Sequence, residues 1–155
     1  MVDLVRRWLR LGRRNKMSHW LTNFVKEKEG FRANAYQDAV GVWTIGYGST
    51  KGVKRGDSIS KANAEKLLEE ELKDFQRYVE KYSNRVGYYW NDHQVDALTS
   101  FIFNLGKGAL NQVTQDGTRD DEEIAKKMKL YYNAGGRKLR GLEIRREEES
   151  EHFSS

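Results

Sequence analysis

The 155-residue sequence contains no cysteine and no proline. Without cysteine there can be no disulfide bond, no thiol nucleophile and no cysteine-ligated zinc site. Without proline, no turn depends on the fixed backbone angle of that residue. The three histidines, His19, His93 and His152, lie far apart in the chain. We therefore expect no zinc site.

The positive charge is concentrated at one end of the chain. The net charge is +5. Residues 1–16 hold six of the 28 basic residues and one of the 23 acidic residues, which accounts for all of that charge. The remaining residues are electrically balanced, with 22 of each sign. A high isoelectric point therefore does not predict nucleic-acid binding by the protein as a whole.

Residues 1–16, MVDLVRRWLRLGRRNK, place apolar residues among arginines at a spacing typical of a short amphipathic helix. No apolar run there exceeds two residues, so the segment predicts neither a signal peptide nor a membrane span. One interpretation is a weak anchor for an anionic membrane or envelope surface. The other is a loosely held extension. Either way, we separate residues 1–16 from a predicted catalytic domain at residues 17–155.

A helix followed by a small β-ribbon is predicted for residues 18–50. Ser18 is a candidate N-cap, and Gly30 a candidate stop signal, which makes Glu29 the last helical residue. The residues that follow alternate like strands, and glycines punctuate them. We expect two or three antiparallel strands, which need support from helices because so small a ribbon is marginal alone.

The rest of the chain is predicted to be mainly helical. A long helix from Ser60 to about Tyr82 is expected to bridge two lobes, and the most apolar helix, Asp92 to Leu105, to form the core of the second. Residues 107–118 are interpreted as a loop. A capping box at Thr118 and Asp121 predicts a helix to about Asn133, and Gly135 and Gly136 are the predicted stop signal. A last helix, from about Leu142 to Phe153, carries a charge run interpreted as a solvated face.

Three side chains in the ribbon stretch can carry chemistry together. Glu29 at a helix end, Asp38 on the first strand and Thr44 on the returning strand can converge on one point. Two carboxylates suit glycoside hydrolysis, in which one protonates the leaving oxygen and the other stabilises positive charge or activates water. From composition alone a solvated pair is the better interpretation, because 33% of the residues are charged.

The sequence resembles the phage-type lysozymes, the endolysin muramidases, over about residues 17–153. Three ordered motifs carry this resemblance: Glu29-Gly30 with Ala35-Tyr36-Gln37-Asp38 and Gly41-Val42-Trp43-Thr44-Ile45-Gly46-Tyr47-Gly48; Gln94-Val95-Asp96-Ala97-Leu98 with Phe103-Asn104-Leu105-Gly106; and Gly141-Leu142-Glu143-Ile144-Arg145-Arg146-Glu147. It implies an α+β, mostly α fold of two lobes, with a small antiparallel ribbon lobe and a helical lobe joined by a long helix.

The resemblance also implies an activity and roles for residues. The expected reaction is inverting cleavage of the β-1,4 bond between N-acetylmuramic acid and N-acetylglucosamine in peptidoglycan, and the resemblance implies that it needs no metal or organic cofactor. Glu29 would be the proton donor, Asp38 the second carboxylate and Thr44 the residue that orders water. Arg145 would meet the catalytic glutamate. Asn104 is either a satisfied core group or a wall of the cleft.

Two departures and several alternatives accompany this interpretation. Ser49 stands where relatives carry histidine, and residues 107–118 resemble the family least, which puts substrate contacts there in doubt. We expect a monomer that acts on peptidoglycan and binds no nucleic acid. It would collect in the bacterial host cytoplasm before release to the periplasm or cell wall. The alternatives are a virion-associated lysin, a non-catalytic peptidoglycan-binding module and a basic protein that binds the envelope or nucleic acid through residues 1–16.

Overall fold

The computed structural model describes residues 17–155, so the predicted extension at residues 1–16 lies outside the described residues. The α+β, mostly helical class is confirmed. In chain order the elements are α1 (His19–Glu29), β1 (Arg32–Gln37), β2 (Trp43–Gly46), α2 (Lys61–Val86), α3 (Asp92–Leu105), α4 (Gly108–Val113), α5 (Asp121–Met128), β3 (Asn133–Ala134), β4 (Arg137–Lys138) and α6 (Arg140–Ser154).

The helix that carries Glu29 has fixed ends. Ser18 Oγ accepts the backbone N–H of Leu21 at 3.0 Å, which satisfies one of the free donors at the start of α1. At the other end, Gly30 adopts a φ of +70°, a conformation that side-chain-bearing residues rarely take. These two caps confirm the predicted boundaries and place Glu29 at the last helical position.

The β-ribbon is built from β1 and β2, which pair antiparallel with Tyr36 opposite Thr44. A third segment adds to it without forming a regular strand. Asn34 and Ser58 form an isolated bridge, and the N–H of Ile59 donates to the carbonyl of Ala33 at 2.8 Å. The prediction of two or three strands is thus met by two strands and one bridging segment.

Two apolar cores lie along α2, which spans roughly 39 Å at 1.5 Å per residue. The smaller core contains Leu21, Val25, Tyr47, Ala64, Leu68 and Leu72. The larger core begins at Val79 and Tyr82 on the same helix and continues through α3, α4, α5 and α6. The long helix therefore joins two lobes, as predicted. Leu105 was expected in the larger core but is 36% exposed, because it ends α3 beside Gly106.

Several predicted boundaries in the second lobe are wrong. Residues 108–113 form helix α4 inside the predicted loop. Helix α5 is capped by Asp120, whose Oδ1 accepts the N–H of Glu123 at 2.8 Å. Thr118, the predicted cap, instead donates its hydroxyl hydrogen to the carbonyl of Gln115. Helix α5 therefore starts directly after Asp120, which caps the backbone N–H of the third helical residue, Glu123.

The glycine pair at 135–136 turns a hairpin rather than stopping a helix. Helix α5 ends at Met128, before the predicted limit of Asn133, and β3 pairs with β4 across this turn. Gly135 and Gly136 have φ values of 58° and 76°. Two successive positive φ angles are the signature of the tightest hairpin turns, which glycine pairs accommodate without strain. The hairpin leads directly into α6.

The ends of two other helices also differ from prediction. Helix α2 runs one turn beyond Tyr82 and stops at Gly87, which takes the left-handed conformation. Helix α6 begins at Arg140, two residues before the predicted start. None of the helices in residues 17–155 combines the length and apolar character needed to cross a membrane.

Candidate active site

Glu29 lies between the two lobes. Its side chain is 23% exposed, and its Oε1 forms an ion pair with Nη1 of Arg145 at 3.0 Å. On the other side the backbone of Gly48 approaches so closely that an added Cβ would lie 3.1 Å from Glu29 Oε2. The carboxylate is therefore held between the C-terminal helix and the turn after β2.

A cleft passes Glu29 on both sides. One cavity, of about 600 Å³, is lined by Glu29, Asn104, Arg145 and the segment 139–142 that leads into α6. A second cavity, of about 380 Å³, is lined on its far side by Lys51, Glu71, Phe75 and Phe103. Glu29 and Asn104 line both cavities. Asn104 is therefore a cleft wall, which resolves the alternative left open by its sequence.

Asp38 and Thr44 lie together on the ribbon and share Val42 as a partner. Asp38 Oδ1 accepts the backbone N–H of Val42 at 2.8 Å and that of Val40 at 3.0 Å. Thr44 is buried, and its hydroxyl donates to the carbonyl of Val42 at 3.0 Å. Within residues 17–155 no hydrogen bond joins either side chain to Glu29, and neither lines the two cavities.

Arg145 is fixed by a buried network that the sequence interpretation missed. Only 4% of its side chain is exposed. Nη2 donates to the carbonyl and to the hydroxyl of Ser100, both at 3.3 Å. Nε contacts Oε2 of the fully buried Glu149 at 3.4 Å, and the Ser100 hydroxyl donates to the same oxygen at 2.5 Å.

Arg146 occupies the other side of Glu149. Its Nη1 pairs with Glu149 Oε1, its Nη2 donates to Asn104 Oδ1, and its Nε donates to the carbonyl of Tyr131 at 3.1 Å. Burial raises the pKa of the Glu149 carboxyl, and the two arginines oppose that rise. Burial also lowers the pKa of the Arg146 guanidinium, which Glu149 opposes. The three charges are therefore desolvated together and depend on one another.

The charge run of α6 is thus not a solvated face at three of its positions. Arg145, Arg146 and Glu149 are buried because α6 packs against α3 and α5. Their spacing of three and four residues along a helix is the available sequence signal, since it brings one carboxylate next to both guanidiniums. What the sequence does not show is which side of a uniformly charged helix faces the interior.

Ser49 supports the second cavity in a different way. It is buried, and its backbone exchanges two hydrogen bonds of 2.9 Å with Ile45. Its side chain lies close enough to Glu71 on α2 to influence that carboxyl. Partial burial raises the pKa of the Glu71 carboxyl, while the Ser49 side chain opposes that rise. Ser49 therefore lies where the ribbon meets the long helix.

No group of three histidine, aspartate or glutamate side chains in residues 17–155 is placed to hold a metal ion. The chemistry available in the described site is that of carboxylates, a guanidinium, an amide and a hydroxyl. A half-buried carboxyl beside a cleft that continues in both directions suits proton transfer to a bond within a polymer.

A model of the phage lysozyme family matches residues 26–149. The chain belongs to the phage lysozyme family. The endolysin of Acyrthosiphon pisum secondary endosymbiont phage 1 is 32% identical over 138 residues, covering 84% of this chain and 92% of that protein. The endolysin of Salmonella phage P22 is 41% identical over 88 residues, covering 55% and 60%.

Solved structures give the same result. The muramidase domain of SpmX from Asticaccaulis excentricus has a TM-score of 0.78 and 30% sequence identity, and the match covers 90% of this chain and 98% of that domain. The resemblance seen in the sequence is therefore confirmed, as is the lysozyme-like fold. As a member of this family, the protein is a glycoside hydrolase whose substrate is peptidoglycan.

Proposed function

We propose that this phage lysozyme is an inverting N-acetylmuramidase that cleaves the β-1,4 bond between N-acetylmuramic acid and N-acetylglucosamine, and that a phage or prophage uses it for bacterial lysis. The observation that carries the proposal is the position of Glu29, which lines both cavities of the cleft. A glycan chain lying along the cleft would place sugars on both sides of that carboxyl.

Glu29 is assigned the role of general acid, which protonates the glycosidic oxygen as the bond breaks. The ion pair with Arg145 stabilises the negative charge that Glu29 carries once the proton has been donated. Arg145 also contacts Glu149, so part of its charge is already compensated. The ion pair between Arg145 and Glu29 therefore stabilises Glu29 after proton donation, while Glu149 serves as a second counterion of Arg145.

Asp38 and Thr44 are assigned to the opposite face of the sugar. Two backbone N–H groups directed at Asp38 Oδ1 stabilise a negative charge, which can support an oxocarbenium-like transition state. Because Thr44 donates its hydrogen to Val42, its lone pairs are available to accept from a water molecule. Inversion requires room for that water, with the carboxylates roughly 6.5–9.5 Å apart.

Asn104 and Arg145 are assigned to the support of the substrate and of Glu29. Asn104 is bonded through its oxygen to Arg146, so its amide nitrogen remains available as a donor to a sugar at the centre of the cleft. The enzyme would act as a monomer on peptidoglycan, after storage in the host cytoplasm and release through a damaged membrane.

The test is hydrolysis of purified peptidoglycan by the wild type and by Glu29→Gln, with Glu69→Gln on the exposed face of α2 as the matched control. We expect Glu29→Gln to lose roughly 10³-fold in rate because general acid catalysis contributes about that factor. The control should retain wild-type activity. Equal rates for wild type and Glu29→Gln would contradict the mechanism.

Product analysis separates the finer claims. New reducing ends on muramic acid are expected, and the first product seen by NMR should be the α-anomer. Reducing ends on glucosamine, or free peptide amines, would contradict muramidase specificity. An initial β-anomer would contradict inversion, and binding without any hydrolysis by the wild type would favour a non-catalytic module.

A further inference from the structure

We infer that Glu149 is a positioning residue, which holds the guanidinium of Arg145 in the orientation that meets Glu29. The inference rests on the proposed function, since Glu29 is taken as the acid of the reaction. Glu149 itself is fully buried and does not line the two cavities described above, so any effect it has on the reaction must pass through another side chain.

The first argument is that each of the three nitrogens of the Arg145 guanidinium has a hydrogen-bond partner. Nε faces Glu149, Nη2 faces Ser100, and Nη1 faces Glu29. A guanidinium is planar and rigid, so fixing two of its nitrogens fixes the direction of the third. Glu149 and Ser100 supply those two fixed points, and the nitrogen that remains is the one directed at the cleft.

The second argument is that Glu149 is itself held from both sides. Arg146 binds Oε1, whereas the Ser100 hydroxyl and Arg145 both reach Oε2. Each carboxylate oxygen thus serves a different arginine, an arrangement that a neutral amide cannot reproduce because it has a single acceptor oxygen. A carboxylate placed three and four residues after two consecutive arginines is required to keep both in place.

The third argument is electrostatic. Arg145 and Arg146 are adjacent in sequence and almost completely buried, so their charges repel one another in a weakly polarisable environment. Glu149 is the carboxylate that contacts both. Without Glu149, the Arg145 guanidinium would lose a hydrogen-bond partner, and its repulsion from Arg146 would no longer be compensated. Arg145 could then adopt orientations other than the one that contacts Glu29.

The test uses Glu149→Gln in the full chain, with Glu147→Gln, an exposed glutamate on the same helix, as the matched control. Rates are measured on soluble, uncrosslinked peptidoglycan strands, well below the melting temperature of each variant. We expect kcat to fall roughly 10- to 100-fold, with KM within about twofold, because a small misplacement of a catalytic group affects the chemical step. Glu147→Gln should match the wild type.

The double variant decides whether Glu149 acts through Arg145. If it does, Arg145→Gln with Glu149→Gln has the same kcat as Arg145→Gln alone. Losses that multiply, or a folded Glu149→Gln enzyme with wild-type kcat, would overturn the inference. Ser100→Ala is the second variant in case Glu149→Gln fails to fold, and a loss of roughly fivefold in kcat is expected from the missing hydrogen bond; an unchanged kcat would contradict the inference.

A spectroscopic readout keeps this test separate from the proposed function. The Nε–H signal of Arg145, assigned by its loss in Arg145→Gln, should exchange with solvent at least about tenfold faster in Glu149→Gln and unchanged in Glu147→Gln. Absence of hydrolysis by the wild type would refute the muramidase proposal, whereas an unchanged exchange rate in Glu149→Gln would refute the positioning role.

Discussion

The two sides of the cleft hold their functional groups by different means. On the ribbon side, Asp38 and Thr44 are bonded to the backbone of Val42, within seven residues of sequence. On the helical side, Arg145 is bonded to Ser100, Glu149 and Glu29, and two of these partners lie 45 and 116 residues away. The first arrangement is local and partly exposed, and the second is long-range and buried.

This difference determines whether a mutation can change the reaction without also changing the stability of the fold. Asp38 is exposed, and the hydroxyl of Thr44 makes a single local hydrogen bond, so altering these groups should affect the reaction with little effect on folding. Buried charges are different, because a partner left unpaired in the interior destabilises the fold strongly. The ribbon can therefore be changed for its chemistry alone, whereas the helical side couples chemistry to stability.

The largest expected effect is on the helical side. Arg146→Met should lower the free energy of unfolding by about 3–5 kcal/mol, because Glu149 loses one of its two compensating charges and Asn104 loses its donor. Urea denaturation measures the change. Arg77→Met is the control, since Arg77 pairs with Asp74 in solvent and such pairs contribute less than about 1 kcal/mol. Similar decreases in the free energy of unfolding for Arg146→Met and Arg77→Met would contradict the proposed difference between buried and exposed ion pairs.

Gly48 is where the two sides meet, and it allows backbone strain to be separated from contact with Glu29. Both Gly48 and Gly52 have positive φ values, but only at Gly48 would a Cβ meet the Glu29 carboxylate. Alanine at either position should cost about 1–2 kcal/mol of stability through strain. Only Gly48→Ala should also lose hydrolytic activity. If folded Gly52→Ala lost as much hydrolytic activity as folded Gly48→Ala, the loss could not be attributed to contact with Glu29.

A smaller effect on stability is expected on the ribbon side. Thr44→Val keeps the shape of the side chain but removes the hydroxyl, so stability should fall by about 1 kcal/mol or less. Activity should fall roughly 10- to 100-fold because the water is no longer oriented. Thr44→Ser retains the hydroxyl and should recover most of that rate. If Thr44→Val lost stability in proportion to its loss of rate, the role of Thr44 in the reaction would not be separable from a role in folding.

The smallest effect concerns Glu71 and depends on pH. Because burial raises the pKa of Glu71 in the folded protein, its contribution to stability is greatest below the unfolded pKa and is lost as the pH rises through the folded value. Glu71→Gln should therefore unfold at higher urea concentration than the wild type at pH 7, and the gap should narrow towards pH 4. Glu69→Gln, on the exposed face of α2, should show no such pH-dependent gain.

The same contrast explains which features were accessible from sequence. The caps at Ser18 and Gly30, and the antiparallel ribbon that follows them, depend on residues close together in the chain. Local signals of this kind fixed the position of Glu29 and the ribbon. The helical content and the bridging role of α2 followed from a long apolar stripe.

The buried network was not accessible for a physical reason. In α6, charged residues appear on every side, so no apolar stripe indicates which side is buried. The interior face is decided by compensation among Arg145, Arg146 and Glu149, and by hydrogen bonds to Ser100 and Asn104 on α3. The hairpin at Gly135-Gly136 was missed because a glycine pair signals both a helix stop and a turn.

The division of the apolar residues along α2 has a consequence for inactivation. Among the described residues, six buried apolar side chains form the core that holds α1 and the ribbon, against fifteen in the other lobe. Glu29, Asp38 and Thr44 all belong to the unit with the smaller core. We expect partial opening of that unit to remove the acid, the second carboxylate and the hydroxyl together while the helical lobe stays folded. Heat should then abolish lysis before the main loss of helical circular dichroism, and hydrogen exchange in β1 and β2 should mark the opening.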